Sequence, residues 1–98
     1  MKTYTLCGSM RFARQMRAIA YELETTKGYS ILQCVYGADD AAPTEEEREL
    51  LAKAHYRKID LSDGIYVVNI GGYIGEAVRR EIEYAGARGK EIIYHCRE

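Results

Sequence analysis

The most constraining feature of this chain is a regular alternation of short β-prone segments with longer amphipathic ones. Four segments are rich in apolar, β-branched and tyrosine residues and are bounded by glycine or polar turn residues, which predicts strands. These strands are residues 3–7, 29–36, 64–68 and 91–96. Three segments of 12 to 18 residues lie between the strands and are predicted to be helices. The first and third have apolar residues at helical spacing, and the second begins with a capping residue followed by acidic residues. These helices are residues 10–27, 44–59 and 77–88.

The order β-α-β-α-β-α-β predicts an α/β fold with an open parallel sheet, right-handed crossovers and helices on both faces. We expect three layers and four strands in the flavodoxin-like (Rossmann-like) order 2-1-3-4. Residues 1–98 have the length of one domain. Such sheets bind ligands beyond the carboxyl ends of their strands, where the strand order switches. The loops at residues 8–11, 37–43 and 69–75 are therefore the predicted site.

Composition excludes several classes of protein. The chain has 14 basic and 15 acidic residues, so no basic surface for a nucleic-acid polymer is expected. No apolar run approaches the roughly 18 residues of a membrane span, and the N-terminus lacks a secretion signal. Three widely spaced cysteines without a CxxC pair are typical of a reducing compartment, and their places in predicted strands favour buried thiols over catalysis. We expect a cytoplasmic protein without a membrane partner.

The loop between the third strand and the third helix is the most informative segment for function. Residues 69–76 are Asn-Ile-Gly-Gly-Tyr-Ile-Gly-Glu, and three glycines in five residues allow close backbone approach and positive φ. The helix that follows offers unpaired N–H groups and the positive end of its dipole, which favours a polar or anionic small molecule. The candidate binding residues are Asn69, Gly71, Gly72, Tyr73 and Gly75.

A second candidate anion site lies at the start of the first helix, at Gly8, Ser9 and Arg11. A hydroxyl, free N–H groups and a guanidinium suit a phosphate there. A simple strand-to-helix turn capped by Ser9 explains the same residues equally well. Neither glycine loop matches GxGxxG or the P-loop pattern, which disfavours a dinucleotide or a nucleoside triphosphate, and we expect no cofactor.

The third helix places Glu81 in an unusual position. At about 100° per residue, Val78, Ile82 and Ala85 define its buried stripe, and Glu81 lies at the margin of that stripe. A carboxylate about one turn beyond a ligand loop can act as a nucleophile or a general base. A boundary salt bridge, for example with Arg88, is the alternative, and the helical wheel leaves both open.

The second helix and the turn after it add His55 and Asp63. Asp63 and the glycine after it are first of all a turn pair. Neither histidine of the chain is at metal-ligand spacing with a cysteine, so we expect no metal site.

Taken together, these residues resemble the nucleoside 2-deoxyribosyltransferase superfamily, which includes the 2′-deoxynucleoside 5′-monophosphate N-glycosidases. The resemblance covers residues 5–94 and is carried by Leu6-Cys7-Gly8-Ser9, Asp63 before an apolar strand, Gly72-Tyr73-Ile74-Gly75, Glu81-Ile82-x-x-Ala85 and Lys90-x-Ile92. Its most specific part is the glycine loop with the Glu81 motif. His55 stands where the family usually has an aspartate, and Thr5 where it often has a tyrosine.

The resemblance implies that Glu81 is a nucleophile on the anomeric carbon of the sugar and forms a deoxyribosyl ester, which water or a second base resolves. It implies that Asp63 and His55 orient the sugar or the base, and that the loop holding Ser9 and Arg11 approaches a 5′-phosphate. The expected ligand is a nucleoside or its 5′-monophosphate, and the expected assembly is a homodimer or a higher homo-oligomer. A non-catalytic nucleotide-binding or sensing module on the same fold is the alternative.

Overall fold

The computed structural model describes residues 1–37 and 42–97. It contains four strands, β1 (Thr3–Gly8), β2 (Ser30–Leu32), β3 (Gly64–Val68) and β4 (Glu91–Tyr94). The helices are α1 (Ala13–Glu22), α2 (Glu45–Leu61) and α3 (Glu76–Ala87). All strand pairs are parallel and the order is β2-β1-β3-β4, so the predicted α/β flavodoxin-like fold is confirmed. Most of the predicted loop at residues 37–43 lies outside the described residues.

The two faces of the sheet bury two separate apolar clusters because successive strand residues point to opposite sides. On β3, Tyr66 and Val68 face the cluster covered by α1, whereas Ile65 and Val67 face the cluster covered by α2 and α3. Helices on both faces make the three predicted layers.

The first predicted helix is one helical run of three geometries. A 3-10 turn (Met10–Phe12) leads into α1, and a π turn (Leu23–Lys27) follows it. The run ends at Gly28, whose φ of 69° is the left-handed conformation that glycine adopts at low cost.

Two predicted strands are longer than the observed ones. β2 ends at Leu32 rather than at residue 36, and Cys34 and Val35 line a cavity instead of extending the sheet. β4 ends at Tyr94, and the backbone N–H and C=O of Cys96 bond to the side chain of Asn69. Side-chain pattern alone cannot show where an outer strand loses its partner.

Helix α2 begins with a complete capping box. The Thr44 hydroxyl accepts from the Glu47 N–H at 3.1 Å, and the Glu47 carboxylate accepts from the Thr44 N–H at 2.8 Å. Residues 45–54 are all exposed, and Ile59 is the buried residue of the helix. The second half of α2 therefore attaches it to the sheet. None of the described helices is both long and apolar enough to cross a membrane.

Candidate active site

A cavity of about 550 Å³ lies beyond the carboxyl end of β1, at the edge of the sheet where the site is predicted. Its volume is typical of small-molecule sites. Six of the predicted site residues line it: Gly8, Ser9, His55, Tyr73, Gly75 and Glu81. The fold thus brings the first loop, α2, the glycine loop and α3 to one place.

The chemical centre of this cavity is a contact between α2 and α3. His55 Nε2 lies 3.2 Å from Glu81 Oε1, and the two side chains are only 12% and 14% exposed. The side-chain partner of Glu81 is therefore His55 and not Arg88, the partner that the helical wheel suggested. Arg88 instead lies near Asp60 and over the ring of Tyr84.

The thiol of Cys7 completes this cluster from the β1 side. Its Sγ lies 3.5 Å from His55 Nε2 and is fully buried. Burial, together with the nearby Glu81 carboxylate, raises the pKa of the Cys7 thiol well above its ordinary value. The thiol is therefore neutral, and a nucleophilic role for it is disfavoured.

The tautomer of His55 follows from its contacts. Because Nε2 faces a carboxylate oxygen, we assign the proton of a neutral ring to Nε2, which then donates to Glu81. His55 Nδ1 is buried and has no hydrogen-bond partner within the described part of the chain. The imidazole therefore contacts the Glu81 carboxylate through Nε2, while Nδ1 makes no hydrogen bond to the described residues.

The glycine loop meets the first loop through Tyr73. The guanidinium of Arg11 stacks on this ring, 3.7 Å from its centroid, and the Phe12 ring contacts it edge-on at 6.1 Å. Tyr73 lines the cavity, whereas Arg11 does not. The Ser9 hydroxyl accepts from the Arg11 N–H at 3.3 Å, which is the capping contact that a simple turn predicts.

The structure shows what two glycines of these loops, Gly8 and Gly75, contribute at their positions. A Cβ at Gly8 would lie 3.0 Å from Met16 Sδ and 3.1 Å from Val68 Cβ, so any larger residue there must displace these neighbours by a few tenths of an ångström. Gly75 is the N-cap of α3 and lines the cavity, so it is placed to bring backbone close to a ligand.

Three predicted binding residues of the glycine loop lie outside the cavity lining, as Arg11 does. Gly71 and Gly72 have the positive φ expected of them, 64° and 79°, but they form an exposed turn. The side-chain amide of Asn69 is buried, donating to the Cys96 C=O at 2.8 Å and accepting from its N–H at 2.7 Å. Asn69 therefore anchors the segment after β4 and does not line the cavity.

The structure also corrects the placement of Asp63. It precedes β3, and its carboxylate accepts from the Thr3 N–H at 2.8 Å at the start of β1. In a parallel sheet the amino ends of all strands lie at one edge and the carboxyl ends at the other. Asp63 therefore lies at the edge opposite to the one that holds the cavity and Glu81. It joins two strands there and cannot orient a ligand in the cavity of this chain.

Sequence reasoning missed one helical stripe that lines the cavity. On α2, positions three and four apart share a face, and Arg48, Leu51, Ala52, His55 and Lys58 all lie along the cavity. The spacing was a usable signal, but the stripe mixes charged, apolar and aromatic residues and so gives no amphipathic pattern. Arg48 and Lys58 bring two positive charges to a lining that also holds the carboxylates of Glu76 and Glu81, so an anionic group of a ligand is expected beside α2.

Comparison with known proteins gives no further identification, since no family model, no curated protein and no solved structure matches this chain.

Proposed function

We propose that this protein cleaves or transfers at the N-glycosidic bond of a (deoxy)nucleoside or its 5′-monophosphate, with Glu81 as the nucleophile. The observation that carries the proposal is a largely buried carboxylate, oriented by His55, in a cavity at the ligand-binding edge of the sheet. The resemblance to the nucleoside 2-deoxyribosyltransferase superfamily also supports the proposal, because Glu81 matches the position of that family's nucleophilic glutamate.

The reaction has two steps. A Glu81 oxygen attacks the anomeric carbon, the carbon–nitrogen bond breaks, and the base leaves with the electron pair and takes up a proton. Water or a second base then attacks the resulting glycosyl ester and frees the carboxylate. His55 is a positioning residue in this scheme because it touches Glu81 and holds the carboxylate in place.

The charges of the cavity support a nucleotide over a nucleoside. Arg48 and Lys58 line it, and Ser9 lies at its β1 end. A 5′-phosphate can pair with Arg48 or with Lys58, whose Nζ also donates to the Gln33 C=O at 2.7 Å, and an uncharged nucleoside can form neither ion pair. We therefore expect the monophosphate to bind more tightly.

A cytoplasmic location is part of the proposal. The free thiols of Cys7, Cys34 and Cys96 suit a reducing compartment.

A nucleotide-binding module without turnover is the second candidate. The observation that favours it is the position of Asp63, because this second predicted catalytic carboxylate lies at the opposite edge of the sheet and not beside Glu81. Glu81 is also already engaged by His55. Binding would then stabilise the fold without consuming the ligand.

The test is chromatography of free base after incubation with deoxynucleosides and their monophosphates, with and without an acceptor base. Glu81→Gln should lower base release by roughly 10²-fold or more. Glu83→Gln is the matched control, because Glu83 is exposed on the same helix. Product that requires the acceptor identifies a transferase, and product without it a hydrolase.

Thermal stabilisation by a ligand, with no base released by either protein, supports the binding module instead. Equal base release by wild type and Glu81→Gln would refute the nucleophile assignment. No turnover and no stabilisation across the whole panel would refute both candidates.

A further inference from the structure

Three different metal-ligating groups meet beside the cavity: the thiol of Cys7, the imidazole of His55 and the carboxylate of Glu81. One ligand atom from each lies within 4.8 Å of the other two. Sγ to Nε2 is 3.5 Å, and Nε2 to Oε1 is 3.2 Å. A tetrahedral zinc ion, with bonds of about 2.3 Å to sulfur and about 2.0–2.2 Å to nitrogen and oxygen, sets its ligands roughly 3.4–3.6 Å apart. The two separations from Nε2 are close to those values, and the third pair, Sγ and the carboxylate oxygen, lies within 4.8 Å.

The three groups are held by regular structure and not by mobile loops. Cys7 is in β1, His55 in α2 and Glu81 in α3, and each backbone is fixed by helix or sheet hydrogen bonding. A metal ion entering the cluster therefore meets ligands that are already ordered, which lowers the entropic cost of binding.

Charge also suits a divalent ion at this buried position. A zinc ion bound to one thiolate and one carboxylate forms a group with no net charge, which burial tolerates far better than an isolated ion. Without a metal, the negative charge of Glu81 faces a neutral thiol and an imidazole.

We propose that Cys7, His55 and Glu81 form a Zn²⁺ site whose fourth coordination position faces the cavity. Three protein ligands with one open position are typical of zinc sites that bind a small molecule, whereas structural sites use four protein ligands. On binding, the Cys7 thiol releases its proton to solvent and the His55 proton moves from Nε2 to Nδ1. The ion then bonds to Sγ, Nε2 and a Glu81 oxygen.

The hydrogen bonds that support the metal ligands are incomplete at this site, and this lowers its expected affinity for zinc. Metal-bound imidazoles usually donate their other N–H to a hydrogen-bond acceptor. His55 Nδ1 has no acceptor among the residues that the structure describes. We expect zinc to bind about 10- to 100-fold more weakly than at a site with a complete outer shell.

Zinc would also control the proposed reaction. A Glu81 carboxylate bound to zinc shares its negative charge with the ion, so zinc should lower the nucleophilicity of both oxygens and suppress attack on an anomeric carbon. This consequence rests on the proposed function, whereas the site itself does not. Zinc should inhibit base release, and a chelator should restore it.

The test uses Co²⁺ as a spectroscopic probe on the full chain, after treatment with a chelator and without any nucleoside. We expect one Co²⁺ per chain, a thiolate-to-cobalt charge-transfer band and the strong visible bands of four-coordinate cobalt. Zinc should displace the cobalt and abolish these bands. Cys7→Ser should lose the charge-transfer band, while Cys34→Ser should keep it, because Cys34 lines the same cavity but lies outside the cluster.

Glu81→Gln is a second variant, at a position that is partly solvent-accessible and tolerates the change more easily than buried Cys7. It should keep the charge-transfer band and bind cobalt at least about tenfold more weakly. No band in the wild type, or a band lost in Cys34→Ser and kept in Cys7→Ser, would overturn the site. Because no nucleoside is present, this result is independent of whether the proposed reaction occurs.

Discussion

Gly64 shows how a single missing side chain determines the packing of three strands. Tyr4, Gly64 and Glu91 are register partners on β1, β3 and β4. The Tyr4 hydroxyl donates to the Glu91 carboxylate at 2.6 Å, across the strand that holds Gly64. A Cβ on Gly64 would lie 2.3 Å from the backbone oxygen of Glu91, a distance that real contacts do not reach.

Gly64→Ala should therefore destabilise the protein by about 1–3 kcal/mol, because β4 must move to make room. Gly86→Ala is the matched control within α3, where the nearest atom to the new Cβ would be Ile92 Cδ1 at 3.8 Å. It should stabilise the protein by about 0.5–1 kcal/mol, since alanine suits a helix better than glycine. Chemical denaturation measures both changes. Equal stability of the two variants would contradict the clash at Gly64.

At the scale of elements, strand β4 is tied to the start of β1 by one carboxylate. Glu91 accepts from the Tyr4 hydroxyl and from Lys2 Nζ at 3.2 Å. These two hydrogen bonds lower the pKa of Glu91 below its ordinary value of 4.5. Burial and the same carboxylate raise the pKa of Tyr4. The interaction thus favours an ionised Glu91 and a neutral Tyr4.

Glu91→Gln should lower the Tm near neutral pH and have little effect in acid. The amide still accepts from Tyr4 but carries no charge. Because the pKa of Glu91 is lower in the folded state, the charge stabilises the fold above the unfolded value of about 4.5, and this is lost as the pH falls through the lowered pKa. Thermal melts from pH 7 to about pH 3 measure the difference, with Glu83→Gln as an exposed control. A Tm difference independent of pH would contradict this account.

Helix α2 is the element whose role is least evident from its own packing. Its first half is exposed on all sides, and Leu50 and Leu51 are 65% and 40% exposed. The capping box at Thr44 supports a helix that makes few contacts with the sheet there. This helix nevertheless supplies Arg48, His55 and Lys58 to the cavity.

For the molecule as a whole, the expected homo-oligomer stays a prediction. Three exposed apolar side chains line the cavity: Leu51, Val35 and Met10 are 40%, 60% and 51% exposed. Apolar side chains around a ligand cavity favour burial against another surface. We expect a second copy of the chain to cover this face.

Leu51→Glu should weaken self-association at least about tenfold, because Leu51 is exposed on the cavity face and a buried leucine contributes roughly 1.5–3 kcal/mol. Leu61→Glu is the control, since Leu61 is 61% exposed at the far end of α2. Light scattering behind size exclusion gives the mass, to be compared with 11.2 kDa for one chain. A wild-type mass of one chain at all concentrations would contradict the predicted oligomer.

The sequence by itself determined the elements and their order, because those depend on interactions between near neighbours in the chain. The cap of α2 needs only Thr44 and Glu47, and the end of the first helical run needs only Gly28. The strands and helices then imply a parallel sheet and the edge at which ligands bind. Glu81 and the cavity edge were predicted on these grounds.

Only the tertiary structure decided which side chains meet at that edge. Cys7 and His55 are 48 residues apart and touch because β1 and α2 pack together, which no local pattern records. Asp63 is adjacent in sequence to a strand of the site, yet strand direction places it at the opposite edge, bonded to Thr3. Contacts between distant segments depend on packing and register, and the chemistry of this cavity consists of such contacts.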